Sequence, residues 1–211
     1  MTTLGIILAG GASRRMGLPA GEKKASVVLA GRSLLEHVVL AVRPAVDRLL
    51  VVAAAAQEIP RIDGLDDIVR DSRPGAGPLA AIADGVRAAG PGIDRAVVAS
   101  CDVPMLVTDV VRLLLDRVAA PGVLWAVPWV ADHPQVLVSA LQTGLLPEIE
   151  AHLAEGRRDP RGLIDRLRPA SDQKLGAVRL VMPDELREAD PELMSFTDID
   201  TPDDLARVAG R

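Results

Sequence analysis

LGIILAGGASRRMG, residues 4–17, runs from a short apolar segment straight into a glycine- and arginine-rich turn. Residues 4–8 are brief and apolar, as a strand covered on both faces must be. Adjacent Gly10 and Gly11 let the backbone turn sharply and offer unhindered amides to an anion. Arg14 and Arg15, with Lys23 and Lys24 further on, carry enough positive charge to spread over a triphosphate. Neither common nucleotide loop is present: the spacing G-x-x-x-x-G-K-[ST] does not occur, and Ala12 stands where G-x-G-x-x-G needs its second glycine. The bland alternative is a plain glycine turn with solvated arginines, and the rest of the chain decides between the two.

The same unit repeats along the chain. Residues 49–54, 68–70, 96–100, 123–127, 136–140 and 178–181 read as further strands, short and rich in β-branched residues. Between them, Ser33 and Glu36 form a capping box that predicts a helix to about residue 46. Pro78 suits a first helical turn and opens a helix to about residue 89. Thr108 and Thr201 read as N-caps, the first of a helix to about residue 118, the second of a short helix with Asp204 in its acidic first turn. The stretch 156–174 is poorly periodic and reads as a helical turn at 161–167 within surface structure. Strand and helix in alternation, with strands too apolar for a wet face, predict an α/β fold: a three-layer α/β/α, Rossmann-like arrangement with a mostly parallel sheet. Ligands then bind at the carboxyl ends of the strands.

With 211 residues, 49% of them hydrophobic, the chain has enough apolar mass for one sizeable core, so a single domain over residues 1–211 is expected. A net charge of −5 and a pI near 5.2 argue against nucleic acid as a partner. One cysteine, Cys101, permits no intrachain disulfide, and the first residues lack the basic and apolar regions of a signal peptide, so a cytoplasmic protein is expected. No apolar run approaches the roughly 20 residues of a membrane span.

Further segments, in order, are RDSRPGAGPLAAI around Asp71, SCDVP around Asp102, His133-Pro134, and FTDIDTPDDL containing Asp198 and Asp200. Together with LAGGASRRMG and its following lysine, this ordered set resembles the GT-A-like nucleotidyltransferases, in particular the MobA-like molybdenum cofactor guanylyltransferases, over nearly the whole chain. The resemblance implies transfer of GMP from GTP to the terminal phosphate of molybdopterin, with Mg²⁺ as cofactor and pyrophosphate released. By this likeness Leu8, Ala9 and Gly10 line the guanine and ribose site through their backbone, and Gly11 and Arg15 lie nearer the phosphates. Lys24 then stabilises charge at the α-phosphate, and Asp102 holds the metal, which makes Arg15, Lys24 and Asp102 the catalytic set. Asp71 contacts base or ribose, or shapes its turn; Asp198 or Asp200 assists the metal or second substrate, or simply faces a helix N-terminus. Arg157, Arg158, Arg161, Arg166 and Arg168 are acceptor contacts or a solvated face. Cys101 reads as a small buried apolar residue, and His133 as a loop or substrate residue.

Two departures from the family pattern matter. Lys23 stands before Lys24 where the family has Asp, which leaves open which lysine faces the phosphates, and residues 53–56 are all alanine where the family often has a guanine-contacting Asn. CTP in place of GTP, another phosphorylated acceptor, and a noncatalytic nucleotide sensor are the competing readings, while a dehydrogenase is disfavoured by the missing G-x-G-x-x-G turn and its acidic partner. The expected state is a monomer or weak homo-oligomer.

Overall fold

The computed structural model describes residues 2–11, 14–19, 22–168 and 177–210. Ala12 and Ser13, the side chain of Arg14, and residues 169–174 of the poorly periodic stretch lie outside the described residues.

The strands are β1 (Thr2–Leu8), β2 (Val28–Leu29), β3 (Arg32–Ser33), β4 (Arg48–Ala53), β5 (Asp67–Arg70), β6 (Ile93–Ser100), β7 (Trp125–Val130), β8 (His133–Pro134), β9 (Val138–Gln142) and β10 (Val178–Val181). The helices are α1 (Leu34–Val42), α2 (Pro78–Ala89), α3 (Thr108–Val118), α4 (Leu146–Ala154), α5 (Pro160–Leu167), α6 (Pro183–Arg187) and α7 (Pro202–Ala209). The main sheet has the order β10-β7-β9-β6-β1-β4-β5, with β8 paired to β7, and β2 and β3 form a separate hairpin. All the ladders on this path are parallel except those of β9, which runs antiparallel to both β6 and β7. The fold is thus the expected α/β arrangement with a mostly parallel sheet.

Period-two alternation sends β1 residues to two different helical layers. Ile7, Val51 and Val97 pack with Val38 of α1 and Val111 of α3, whereas Ile6, Leu50 and Val98 pack with Ile82 of α2, Ile149 of α4 and Leu163 of α5. Each of these side chains is at most 1% exposed, and burying one contributes roughly 1.5–3 kcal/mol. Gly85 allows α2 to approach β1, since a Cβ there would sit 2.7 Å from Ile6 Cγ2. A smaller cluster of Met16, Leu29, Leu34, Ile199 and Val208 fastens α7 and the segment before it to the loop after β1.

Several local expectations shift. The Ser33–Glu36 capping box forms, but α1 ends at Val42 and a 3-10 turn, Arg43–Ala45, follows, because Pro44 has no N–H to continue the helical ladder. The Thr201 cap forms, its side chain accepting from the Asp204 N–H. Thr108 is not an N-cap: it is already helical, its hydroxyl donates to the Ala41 carbonyl at 2.8 Å, and Val107 precedes it with its N–H bonded to Ser195 Oγ. The turn at 161–167 is a full helix, α5, capped by Asp159, whose carboxylate accepts from the Gly162 N–H. Among the described residues no helix is long and apolar enough to cross a membrane.

Candidate active site

Register places the carboxyl ends of β1, β4, β5 and β6 on one edge, with Leu8 paired to both Val52 and Ser100, and Ala53 to Arg70. The residues that follow these strands therefore converge: Gly10 and Gly11, Ala54, Asp71, and Asp102. A cavity of about 460 Å³ opens there, lined among others by Leu8, Gly10, Gly11, Ala54, Asp71 and Pro78. Ala9 does not line it; this alanine is buried, its N–H bonded to the Val52 carbonyl and its own carbonyl accepting from Gln57 Nε2. Expected to line the base and ribose site through its backbone, it sits between the lining residues Leu8 and Gly10 with both backbone groups bonded within the protein. Asp71 both faces the cavity and shapes its turn, one carboxylate oxygen accepting from the Arg73 N–H at 2.9 Å.

The turn that follows Asp71 is held from behind by a buried carboxylate. Asp84 on α2, 3% exposed, accepts from both the N–H and the hydroxyl of Ser72 and from Arg87. Burial pushes the Asp84 carboxyl up, yet these donors outweigh it and hold the pKa below its ordinary value. Glu150 on α4 then pairs with Arg73 and Arg87, joining α4 to the same turn. The signal for Asp84 is visible in the sequence as a lone acid on the buried face of a helix of alanine, leucine, isoleucine and valine.

A second cavity, about 510 Å³, is lined among others by Asp102, His133, Gln135, Arg161, Phe196 and Asp198. Pro78 and Leu137 line both cavities, so the two are neighbours with Asp102 at the second one's edge. Of the basic group, Arg161 alone among the described side chains lines this space. Arg158 donates to the Gly75 carbonyl, Arg157 pairs with Glu155, and Arg166 with Glu148 and Glu155. His133 sits in β8, where Gln135 Nε2 lies 2.9 Å from its Nε2.

Around Asp102 stands a cluster of charges. The Cys101 N–H bonds the Leu8 carbonyl, continuing the sheet, and the Asp102 carbonyl accepts from the Ile199 N–H at 2.8 Å. Ile199 is fully buried, so this bond and that burial bring Asp198 and Asp200, far along the chain, beside Asp102. Lys24 Nζ lies 2.9 Å from Asp102 Oδ2 and 2.5 Å from Asp200 Oδ1, and Arg15 pairs with Asp200 at 2.7 Å. The structure thus chooses Lys24 over Lys23 as the inward lysine. Burial lowers the Lys24 pKa, but the hydrogen bonds to Asp200 and Asp102 outweigh it and the net direction is up. Burial raises Asp200, and Lys24 more than reverses this; Asp198, partly desolvated beside the Asp200 charge, is raised. Burial, with the charge of Asp102 next to it, pushes Cys101 to about 12, which leaves it an inert packing residue.

Among the described residues no three His, Cys, Asp or Glu side chains form a ready-made metal cage. The donor set nevertheless fits a hard cation of the Mg²⁺ type, which takes one or two carboxylates and fills its remaining positions with phosphate oxygens and water. Asp102 and Asp200 are drawn to one cationic point, and Asp198 neighbours both.

Residues 5–172 match the MobA-like NTP transferase domain. A probable molybdenum cofactor guanylyltransferase of Mycobacterium avium strain 104 is 34% identical over 187 residues, 87% of each chain. The crystal structure of molybdopterin-guanine dinucleotide biosynthesis protein A from Archaeoglobus fulgidus superposes with a TM-score of 0.76 at 25% identity, over 98% of this chain and 97% of that one. In fold alone, 2-C-methyl-D-erythritol 4-phosphate cytidylyltransferase from Thermus thermophilus is also similar, with a TM-score of 0.71 at 22% identity over 100% and 98% of the two chains. Strand-end cavities, a glycine turn, and a lysine held between two aspartates on this fold, together with these likenesses, lead to one conclusion: the chain belongs to the MobA-like NTP transferase family and is a nucleotidyltransferase.

Proposed function

We propose that this nucleotidyltransferase acts in molybdenum cofactor biosynthesis, moving GMP from GTP to the terminal phosphate of molybdopterin. The observation that carries the reading is the pair of neighbouring cavities that share Pro78 and Leu137, one walled by strand ends and glycines, the other lined by Asp102 and Arg161. GTP occupies the first with its base and ribose near Gly10, Ala54 and Asp71, and its phosphates near Gly11, Arg15 and Lys24. The phosphorylated pterin enters the second, with Arg161 against its charge. An oxygen of the acceptor phosphate attacks the α-phosphorus, the bond from that phosphorus to the bridging oxygen breaks, and pyrophosphate leaves with the electron pair. An acceptor phosphate is already an anion at neutral pH, so no side chain has to remove a proton; the work of Lys24 and Arg15 is to position two repelling phosphates and neutralise their charge. Asp102, with Asp200 or Asp198, would hold Mg²⁺, which supplies further neutralisation at the phosphates.

The test is Mg²⁺-dependent pyrophosphate release with molybdenum-loaded molybdopterin, measured with GTP and separately with CTP. Release with GTP and not CTP supports the proposal. Release with CTP alone moves the chain to cytidylyl transfer, a reading favoured by the absence of any polar side chain at residues 53–56. Release with neither overturns the acceptor assignment.

A further inference from the structure

Among the described residues, the wall of the first cavity between β1 and β4 has no polar side chain with which to read a base. It is formed by Gly10 and Ala54, and residues 53–56 are four alanines. Base recognition at this wall, which rests on the nucleotide placement proposed above, must then use backbone groups, and backbone groups discriminate only if their positions are fixed.

Gln57 is built to fix them. It is 5% exposed and lies behind the wall, outside the cavity lining. Its Nε2 donates to the Ala9 carbonyl at 3.1 Å, and its Oε1 accepts from the Ala54 N–H at a longer 3.4 Å. One amide thereby spans the loop after β1 and the loop after β4. The Gln57 N–H closes the Ala54 turn at 3.0 Å, and Arg70 Nη1 donates to the carbonyls of both Ala54 and Gln57, at 3.2 and 2.6 Å. At Gly10 the two loops nearly touch, since a Cβ there would be 3.7 Å from the Ala54 nitrogen. Only a side chain with one donor and one acceptor in amide geometry satisfies both partners: Glu lacks the donor, and Leu lacks both.

We infer that Gln57 is a positioning residue that sets base selectivity by locking the Gly10 and Ala54 backbone in register. In the nucleotide placement proposed above the phosphates contact a different set, Gly11, Arg15 and Lys24, so loosening this crosspiece changes discrimination between bases more than grip on the phosphates.

The experiment measures dissociation constants for GDP and CDP with the wild type, Gln57→Leu and Gln57→Glu, with thermal unfolding run on each variant. Arg70→Met, on a more exposed residue, probes the same wall should the core variants fold poorly. The expected result is a change of about tenfold in the GDP-to-CDP ratio for Gln57→Leu, the scale of one hydrogen bond in a binding equilibrium, and a smaller change for Arg70→Met. A ratio equal to that of the wild type in folded variants, including equal weakening of both nucleotides, overturns the inference and leaves Gln57 a packing residue. A wild type that prefers CDP overturns guanine as the proposed base, and Gln57 is then judged separately, by whether its variants move that ratio.

Discussion

Replacing Lys24 by Met removes the cation that holds Asp102 and Asp200 together. The methionine fills most of the lysine's path but strips Asp102 of the ammonium it pairs with, while Asp200 keeps Arg15. Removing one partner of a fully buried pair costs roughly 3–5 kcal/mol, whereas exposed pairs are worth about 0–1. These side chains are 14–18% exposed, nearer the buried limit, and a loss of about 2–3 kcal/mol follows. The pH dependence has a definite sign. The Lys24 pKa is raised above 10.5, so its contribution is complete below that value and is lost only as pH rises through the higher folded value. The Asp200 pKa is lowered below 3.8, so the same contribution is lost on the acid side as pH falls through the folded value. Urea unfolding of both proteins is expected to show a constant difference from about pH 6 to 9 that narrows at either extreme. With the ammonium gone, the two carboxylates should also bind Mn²⁺ more tightly in the absence of nucleotide, seen as a larger rise in thermal midpoint on adding the ion. A variant within about 0.5 kcal/mol of wild type, the scatter of an ordinary surface change, and with no gain in Mn²⁺ response refutes the reasoning.

Three other outcomes can be checked with simple assays. Asp102→Ala should reduce nucleotidyl transfer by at least about 10³-fold by removing the metal's proposed anchor, and undiminished pyrophosphate release would remove that role. Arg161→Ala is expected to raise the KM for the phosphorylated acceptor about tenfold while leaving nucleotide affinity unchanged, because only the second cavity contains it; a matching loss of GTP affinity would contradict the two-cavity assignment. Asp84→Asn should cost about 1–3 kcal/mol at neutral pH. Its carboxylate contribution is present above the ordinary value of 3.8 and lost as pH falls through the lower folded value, so the variant's stability should be less sensitive to acid, and an unchanged acid limb would show that Asp84 does not hold the Ser72 turn.

The seven strands along the main sheet and the helices α1, α2, α3, α5 and α7 were legible in order because they depend on local features: short β-branched runs, a capping box at Ser33 and Glu36, another cap at Thr201, and proline at the first turn of α2; α4, α6, β8 and the β2–β3 hairpin were not expected. Likewise Gly10, Gly11, Asp71 and Asp102 stand directly after strands, and a parallel sheet carries such residues to one edge whatever the details of packing. What lay beyond the sequence depends on contacts between distant residues. The helix expected to reach about residue 46 stops at Val42 because of Pro44, a local signal that the reading passed over, whereas the true role of Thr108 depends on a carbonyl 67 positions away. Which lysine turns inward was settled by Asp102 and Asp200, 78 and 176 positions from Lys24, and those aspartates meet only because Ile199 is buried and bonded to the Asp102 backbone. Gln57 gave no motif at all, since its function is to join two backbone groups 48 and 3 positions away, and the spacing of such partners is a property of folded distance. Chain periodicity therefore determined the layers and the edge where chemistry gathers, while the charge cluster and the rigidity of the cavity wall arise from long-range burial and hydrogen bonding that no local pattern encodes.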